Sequence, residues 1–528
     1  MKSKKIIPIL VMLPLLASCG GPKELVIPTV DVDSIVPELP TRPVYNTGAI
    51  KSDDTYDYLD IYELSDFHGA VNEERHSEGN YIGLPKLADY LNIKRSLNQG
   101  GTIVVSSGDM FQGSAESNLT RGYMVNYAMN YMGFDSMAIG NHEFDWTDSW
   151  LRKNANLAYN GNKIPYISAN IVKKGTTESP DFLSKSTTIT RGDYKIGIIG
   201  SIGENLEKSI LKSCIEGYEF TNETEAINAE AKKLKNEGCD VVIVTSHNDV
   251  DILKGNQYEN VDAIFGGHAH YSSRLTIGGY LPAVQTKNYG ASIAHIQLAI
   301  DKTTKAVTCS AYGFDDAPAT LPGIKENEDV KKIMNSYTSS INDIKNIKLG
   351  KCDKDLLIKG ALKNVCVESM YQGAIKGIKD LALEIPADKI VATFHNIEGG
   401  IRKDIAQGQI TYGDVYGPFP FDNEIVLYKV KGSLLKSNLS QFASYAVRRT
   451  FTNKEELDNN TDYYLVLTDF IALSSAYVSK IFPIHEEDLI RTGKVVREEV
   501  ANLIFESKEI KTANFASNKA PYISIPLI

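Results

Sequence analysis

Five stretches of this chain share one pattern: a short apolar run that predicts a buried strand, then at once a cluster of Asp, His or Asn. Tyr58 to Leu64 leads into Ser65-Asp66-Phe67-His68, Thr102 to Val105 into Gly108-Asp109, and Ser136 to Ile139 into Gly140-Asn141-His142-Glu143-Phe144-Asp145. Val241 to Val244 leads into Ser246-His247, and Val261 to Phe265 into Gly266-Gly267-His268-Ala269-His270. In an open α/β sheet the carboxyl ends of neighbouring strands meet at one crevice, so groups far apart in sequence converge there. Five of the nine histidines fall in these clusters, the concentration that a polynuclear metal site demands.

A chain of 528 residues exceeds one ordinary core and predicts at least two domains. From 58 to 325, strand-like runs alternate with helical stretches such as Leu84 to Leu97, Tyr123 to Met132 and Glu223 to Asn236. That alternation predicts a layered α/β domain with buried strands. Within 326–349, Val330, Ile333, Met334, Tyr337, Ile341 and Ile344 recur at helical spacing and predict a linking helix. Residues 350–528 carry their own strand and helix runs and predict a second, smaller α/β domain.

The N-terminus follows other rules. Lys2, Lys4 and Lys5 precede an apolar run from Ile6 to Leu16 that is too short to span a bilayer, and Ala17-Ser18 supplies small residues for cleavage. Residues 1–18 therefore predict a signal peptide. Cys19 follows immediately, and Leu16-Ala17-Ser18-Cys19 resembles the bacterial lipobox. The resemblance implies an acylated Cys19, an extracytoplasmic protein anchored to the membrane by lipid, and a tether over 19–57 rich in Pro, Gly, Val and Asp. The net charge of −10 becomes more negative once the three lysines are removed, which disfavours a nucleic-acid polymer as partner. Of Cys214, Cys239, Cys309, Cys352 and Cys366 none has CxxC spacing; Cys352 and Cys366 could pair or stay free. The oligomeric state has no sequence signal.

Asp66 and His68, two apart after a strand, can present a carboxylate and an imidazole on one face. Asp109 has two oxygens with which to bridge ions, and Asn141 offers a neutral oxygen beside the imidazoles His247, His268 and His270. Such a mixed set suits two divalent transition-metal ions (zinc, manganese, iron or cobalt) better than calcium or magnesium. Two such ions about 3.5–4 Å apart clamp the attacking and leaving oxygens of an in-line phosphoryl displacement, so phosphate-ester hydrolysis is the natural chemistry. Taken singly, Asp109 and Asn141 could be turn residues and Asp145 a helix cap. The ordered set weighs against those readings together. Glu143 reads as structural, Asp249 as a helix cap or a support for the ligands, and His76, His295, His395 and His485 as core or surface residues.

Asp-x-His, Gly-Asp, Gly-Asn-His-Glu, a lone His and Gly-His-x-His, in that order, resemble the motifs of calcineurin-like metallophosphoesterases. Ser65-Asp66-Phe67-His68-Gly69, Gly108-Asp109-Met110-Phe111-Gln112-Gly113-Ser114 and Gly140 to Asp145 narrow the likeness to the 5′-nucleotidase and cyclic-nucleotide phosphodiesterase branch. The resemblance implies a layered α/β sandwich followed by a smaller α/β substrate-binding domain. It places one metal on Asp66, His68, Asp109 and His270 and the other on Asp109, Asn141, His247 and His268. It also implies that His142, oriented by Asp145, stabilises the transition state or protonates the leaving oxygen. In the second domain, Gly399-Gly400-Ile401-Arg402, Pro418 to Asn423 and Thr468 to Ala472 resemble segments that imply a phosphate or ribose contact by Arg402 and a nucleobase held between Phe421 and Phe470.

Three departures stand beside that likeness. Ala476 occupies the place of an acid that would hold ribose hydroxyls, Asn396 lies one residue early, and no arginine lies at the matching distance upstream of Lys363 to Met370. The expected function is hydrolysis of nucleoside 5′-monophosphates or related nucleotides by a surface lipoprotein. A non-nucleotide or cyclic-nucleotide phosphoesterase and a catalytically inactive surface binding lipoprotein are the alternatives. Cys19→Ala is expected to move the protein from the membrane fraction to the soluble fraction of its host cell, and unchanged membrane retention would remove the lipid anchor.

Overall fold

The computed structural model describes residues 25–46, 48–75, 79–474, 477–517 and 521–522; Cys19, His76 and Ala476, singled out above, lie outside these. Two six-stranded sheets face each other in the first half of the chain. One runs in the order Val307–Asp315, Ile293–Asp301, Tyr56–Leu64, Thr102–Ser106, Ser136–Ala138, Tyr166–Ile167. The other runs Ser273–Ile277, Leu281–Gln285, Ala263–Gly266, Val241–His247, Tyr194–Ile202, Ser186–Arg191. Alternation along each strand makes this sandwich. Leu59, Ile61, Ile103 and Val105 point inward against Ile196, Ile198, Ile243 and Phe265 of the opposing sheet, all fully buried.

The outer faces are covered by helices. Gly83–Leu97 buries Leu84, Leu87, Tyr90 and Leu91, and with Tyr123–Met132 packs on the first sheet; Glu223–Asn236 lies on the second through Ile227, Ala231 and Leu234. Strands Tyr56–Leu64, Thr102–Ser106 and Ser136–Ala138 are mutually parallel, as are Tyr194–Ile202, Val241–His247 and Ala263–Gly266. Their carboxyl ends therefore open at one edge of the sandwich, where the Asp, Asn and His clusters sit.

The helix Glu328–Lys345 begins at Asn327, whose side chain accepts from the backbone N–H of Asp329 and Val330. Val330, Ile333, Tyr337 and Ile341 enter the first domain's helical core, and Ile344 enters the second domain's core. Beyond it, a five-stranded sheet runs Tyr445–Arg449, Ile390–Asn396, Asp462–Thr468, Glu424–Lys431, Leu489–Val495. The helices Lys363–Asp380 and Val496–Ser507 pack beside it. The expected two-domain layered α/β architecture is present. The five cysteines among the described residues are free, so Cys352 and Cys366 form no disulfide.

The segment expected to be a tether differs from that reading. Residues 25–46 lie along the body of the protein: Asp33 accepts from the Tyr123 hydroxyl at 3.2 Å and pairs with Lys153 at 2.6 Å, and Arg42 Nε donates to the Asn130 carbonyl at 2.7 Å. Val32 is 4% exposed. Val30 packs against the cores of both domains, and Leu25 and Ile27 against that of the second. The segment thus straps the two domains together. Its apolar residues lack a period, so no sequence pattern marks them as buried. Val32→Asp, which places a carboxylate in that contact at a cost of a few kcal/mol, is expected to make residues 25–46 cleavable in limited proteolysis, and wild-type resistance would show that this packing does not hold the segment.

Candidate metal centre and substrate cavity

The ligand loops are short and their backbone is unusual. Asp66, His68, Asp109, His268 and His270 all have positive φ, between 47° and 72°, a left-handed conformation that costs a non-glycine residue roughly 1–3 kcal/mol. Hydrogen bonds hold it in place. Asp66 N–H donates to the Gly108 carbonyl, His68 N–H to that of Asp109, Tyr289 N–H to that of Asp66, and His268 N–H to Asp66 Oδ2 at 2.9 Å. The glycines preceding two ligands are sterically required: a Cβ on Gly108 would lie 2.5 Å from the Gly140 nitrogen, and one on Gly140 would lie 2.2 Å from Asp109 Oδ1. This close approach explains why glycine precedes both Asp109 and Asn141.

Two groups of ligand atoms result. Asp66, His68 and His270 form one, with His68 Nε2 3.0 Å from His270 Nε2 and His270 Nε2 3.3 Å from Asp66 Oδ1. Asp109, His247 and His268 form the other, with His247 Nε2 3.1 Å from Asp109 Oδ2. Asn141 Oδ1 joins the second group, 3.2 Å from His247 Nε2 and 3.1 Å from His268 Nδ1. His68 and His247 each donate Nδ1–H to a carbonyl, of Gln112 and Ser107, so that in the neutral ring Nε2 carries the lone pair and faces inward. All seven expected ligands are therefore brought together, in two sets, with Asp109 standing in the second.

The charges explain what such a site needs. Burial raises the carboxyls of Asp66 and Asp109, but facing imidazoles outweigh it and hold both below the usual carboxylate range. Burial opposes a charge on His247, yet Asp109, Asp66 and Glu143 hold it up to about 10, while burial and the nearby His247 push His268 down to about 4. Asp66 Oδ1 and Asp109 Oδ2 are buried, and their only near partners among the described residues are the His270 and His247 imidazoles, whose contacts fall short of good hydrogen-bond geometry. Buried carboxylate oxygens flanked by inward lone pairs fit divalent cations.

His142 Nδ1 donates to Asp145 Oδ2 at 2.8 Å, and His142 Nε2 lies 3.3 Å from Arg402 Nη2 of the second domain. Burial lowers the His142 imidazole, but Asp145 and Asp109 outweigh it and hold it above its ordinary range. Arg402 also stacks over Phe421, 5.2 Å from the ring centre, and the Phe421 ring lies 5.6 Å from that of His142. Phe470 stands against Tyr477, ring centres 5.4 Å apart. Phe421, Phe470, Arg402, His142, Asp145 and the expected ligands Asp109, Asn141, His268 and His270 line one cavity of about 870 Å³ between the domains. Asn396 lines it as well, although it lies one residue early in the loop.

Some residues were read only in outline and others not at all. Glu143, read as structural, accepts from the backbone N–H of Asp109 at 2.8 Å, Met110 at 2.9 Å and Gly140 at 2.7 Å, and so ties two ligand loops together. Burial and the Asp109 charge push its carboxyl up to about 7 against those donors. Its place in Gly-Asn-His-Glu was the available signal. Glu63, fully buried beneath Asp66 and pushed up to about 8 by burial, was signalled by a carboxylate within an apolar strand. Tyr477 carried no signal. Asp249 caps the short helix Val250–Leu253 and accepts from the Tyr271 hydroxyl.

Known proteins agree with this architecture. Residues 59–272 match the calcineurin-like phosphoesterase family and residues 386–451 the 5′-nucleotidase C-terminal domain. The chain is 26% identical over 408 residues to endonuclease YhcR of Bacillus subtilis, covering 72% of this chain and only 32% of that protein. It is 26% identical over 454 residues to protein UshA of Salmonella pullorum, covering 77% of this chain and 79% of that one. The crystal structure of a 5′-nucleotidase precursor from Thermus thermophilus shares the fold, with a TM-score of 0.70 at 19% identity over 86% of this chain and 97% of that one.

Replacing Glu143 by Gln turns one acceptor into a donor against the loop N–H groups, a loss of roughly 1–3 kcal/mol. Glu143→Gln is expected to release metal at lower chelator concentration than wild type, followed by metal analysis, and an unaltered release curve would remove Glu143 from loop positioning. The chain therefore carries a region that matches the calcineurin-like phosphoesterase family followed by one that matches the 5′-nucleotidase C-terminal domain, and it is a phosphoric ester hydrolase that resembles the 5′-nucleotidases.

Proposed function

We propose that this enzyme hydrolyses nucleoside 5′-monophosphates or closely related nucleotides, as a surface lipoprotein anchored through Cys19. One observation supports the substrate class above the others: the ligand clusters of the first domain and Arg402, Phe421 and Phe470 of the second face the same cavity. A phosphate at the ligands leaves a planar base within reach of aromatic rings and a guanidinium.

In this reading Asp66, His68, Asp109 and His270 would hold one divalent ion, and Asp109, Asn141, His247 and His268 would hold the other. When bound, the ions supply an activated water and a clamp for the charge that builds on the phosphoryl oxygens. The chain's own residues do the rest. Asp145 fixes the His142 tautomer with Nδ1 protonated, so that Nε2 faces the cavity and handles the proton of the leaving ester oxygen. Arg402, held over Phe421, offers two N–H donors to a phosphate or ribose oxygen. Phe421 and Phe470 present ring faces to a base, a contact that tolerates different bases because each has a π-face.

The decisive measurement is phosphate release from nucleoside 5′-monophosphates, their 2′-deoxy forms, a sugar phosphate and an aryl phosphate, with and without manganese or zinc. Asp109→Ala is expected to abolish nearly all turnover and lower metal content, whereas His142→Ala keeps its metal and loses roughly a hundredfold in kcat. An unchanged kcat would remove His142 from the mechanism. Phe421→Ala or Phe470→Ala is expected to raise KM for nucleotides about tenfold, with little effect on the aryl phosphate. With 2′-deoxy forms cleaved nearly as well as ribonucleotides, stacking and Arg402 carry recognition; unaltered nucleotide KM in both Phe variants would leave a non-nucleotide phosphoesterase.

A further inference from the structure

The path of residues 25–46 changes what a lipid at Cys19 can do. Six residue steps separate Cys19 from Leu25, and a fully extended chain of that length reaches at most about 22 Å. Leu25 and Ile27 pack against the second domain's core and Val30 against both cores, so the packed body begins at Leu25. A free tether over 19–57 would hold its load roughly 35 Å away on average and let it turn in any direction. A body of about 500 residues spans roughly 60 Å. The connection is therefore shorter than the radius of what it holds, and the face it enters must lie next to the bilayer.

That face displays apolar side chains. Leu25 and Ile27 turn inward on either side of Val26, which is 74% exposed. Val36 and Val44, further along the same segment, are 90% and 81% exposed. The opposite side of the segment is fastened to the helical layer that covers the first sheet. Asp33 meets Tyr123 and Lys153, Arg42 meets Asn130, and Glu38 N–H donates to Ser336 Oγ at 2.8 Å. On a face held at a bilayer, outward valines can bury apolar area among the lipid headgroups. The substrate cavity lies across the domain junction from this face. Asp422 lines that cavity, while its partners Arg121 and Arg497 line the groove beside residues 25–30.

We propose that residues 25–46, with the adjoining helix Val496–Ser507, form a docking face whose partner is a lipid surface, and that the anchored enzyme is held there in one orientation. This rests on the Cys19 anchor given above and not on the chemistry of the metal centre. Asn502 of that helix lines the same groove as Leu25 and so belongs to the docked face. Tyr280 marks the opposite side of the molecule. It stands at the turn between Ser273–Ile277 and Leu281–Gln285 of the second sheet, across the sandwich from the helices that carry residues 31–46, and is 67% exposed.

The test uses the full-length chain, produced with its leader in a bacterial host and reconstituted in phosphatidylcholine vesicles that carry a fluorescence quencher on their headgroups. Neutral lipid avoids repulsion of a chain whose net charge is −10. A thiol-reactive fluorophore is placed by Val36→Cys, Asn502→Cys or Tyr280→Cys in a Cys309→Ser parent, the other four cysteines among the described residues being buried. Retained phosphate release shows that each labelled variant is folded. The Val36 and Asn502 labels are expected to lose most of their fluorescence, and the Tyr280 label to keep nearly all of its own. Equal quenching at the three positions, or the strongest at Tyr280, overturns the docking face and leaves the anchor standing. A chain that does not float with the vesicles overturns the anchor and the docking face together, with the hydrolase reading intact.

Discussion

Two fully buried carboxylates, Asp66 and Asp109, set the terms for everything around them. An uncompensated charge in a protein interior is costly, so it must meet opposite charge or change its protonation state. Here the compensation is arranged from five chain segments. His247 and His270 face the two carboxylates directly, and Asn141 and His268 complete the second group of ligand atoms. Glu143 adds a third buried carboxylate, which accepts three backbone N–H groups and so gathers the Asp109 and Gly140 loops. The strained backbone of five ligands is tolerated because neighbouring carbonyls and carboxylates fix it from several sides at once. A site of this kind gains from divalent cations both structurally and chemically.

In the proposed reading, catalysis and recognition are divided between the domains. The sandwich holds the ligands at strand ends, where a rigid parallel core leaves little freedom. The second domain brings Arg402 and two phenylalanines to the same cavity from separate loops. Their alignment depends on how the domains meet. Asn118 Nδ2 donates to the Pro420 carbonyl at 2.8 Å, and Asp422, next to Phe421, bridges Arg121 of the first domain at 3.1 Å and Arg497 of the second at 2.5 Å. Residues 25–30 run close to this junction, beside Asn118, Arg121, Tyr416 and Arg497. The strap, the bridging helix and this ion-pair network act on one interface, so the position of Phe421 is coupled to all three.

Much of the site could be read from the chain because its chemistry is written in residue type and local spacing. Strand-then-ligand stretches, glycines where the Asp109 and Asn141 loops nearly touch, and five of the nine histidines following apolar runs are one-dimensional features with a three-dimensional cause. The helix of 328–345 was visible for the same reason, its buried positions recurring at 3.6-residue spacing. Residues 25–46 were illegible. Their contacts with Tyr123, Asn130 and Lys153 join partners about a hundred positions apart, and no local period records them.

Sequence by itself marked the candidate ligands, the ionisable groups around them and the order of the two domains, since each follows from residue identity and from short-range periodicity. Tertiary structure alone decided which ligands share a group, that Glu143 ties their loops, and that Tyr477 and Tyr289 join the cavity wall. The physical reason is that a cavity wall is a surface shared by several segments. Whether a tyrosine faces it depends on the φ of its own backbone and on the packing of chain remote from it, and neither is encoded in its neighbours.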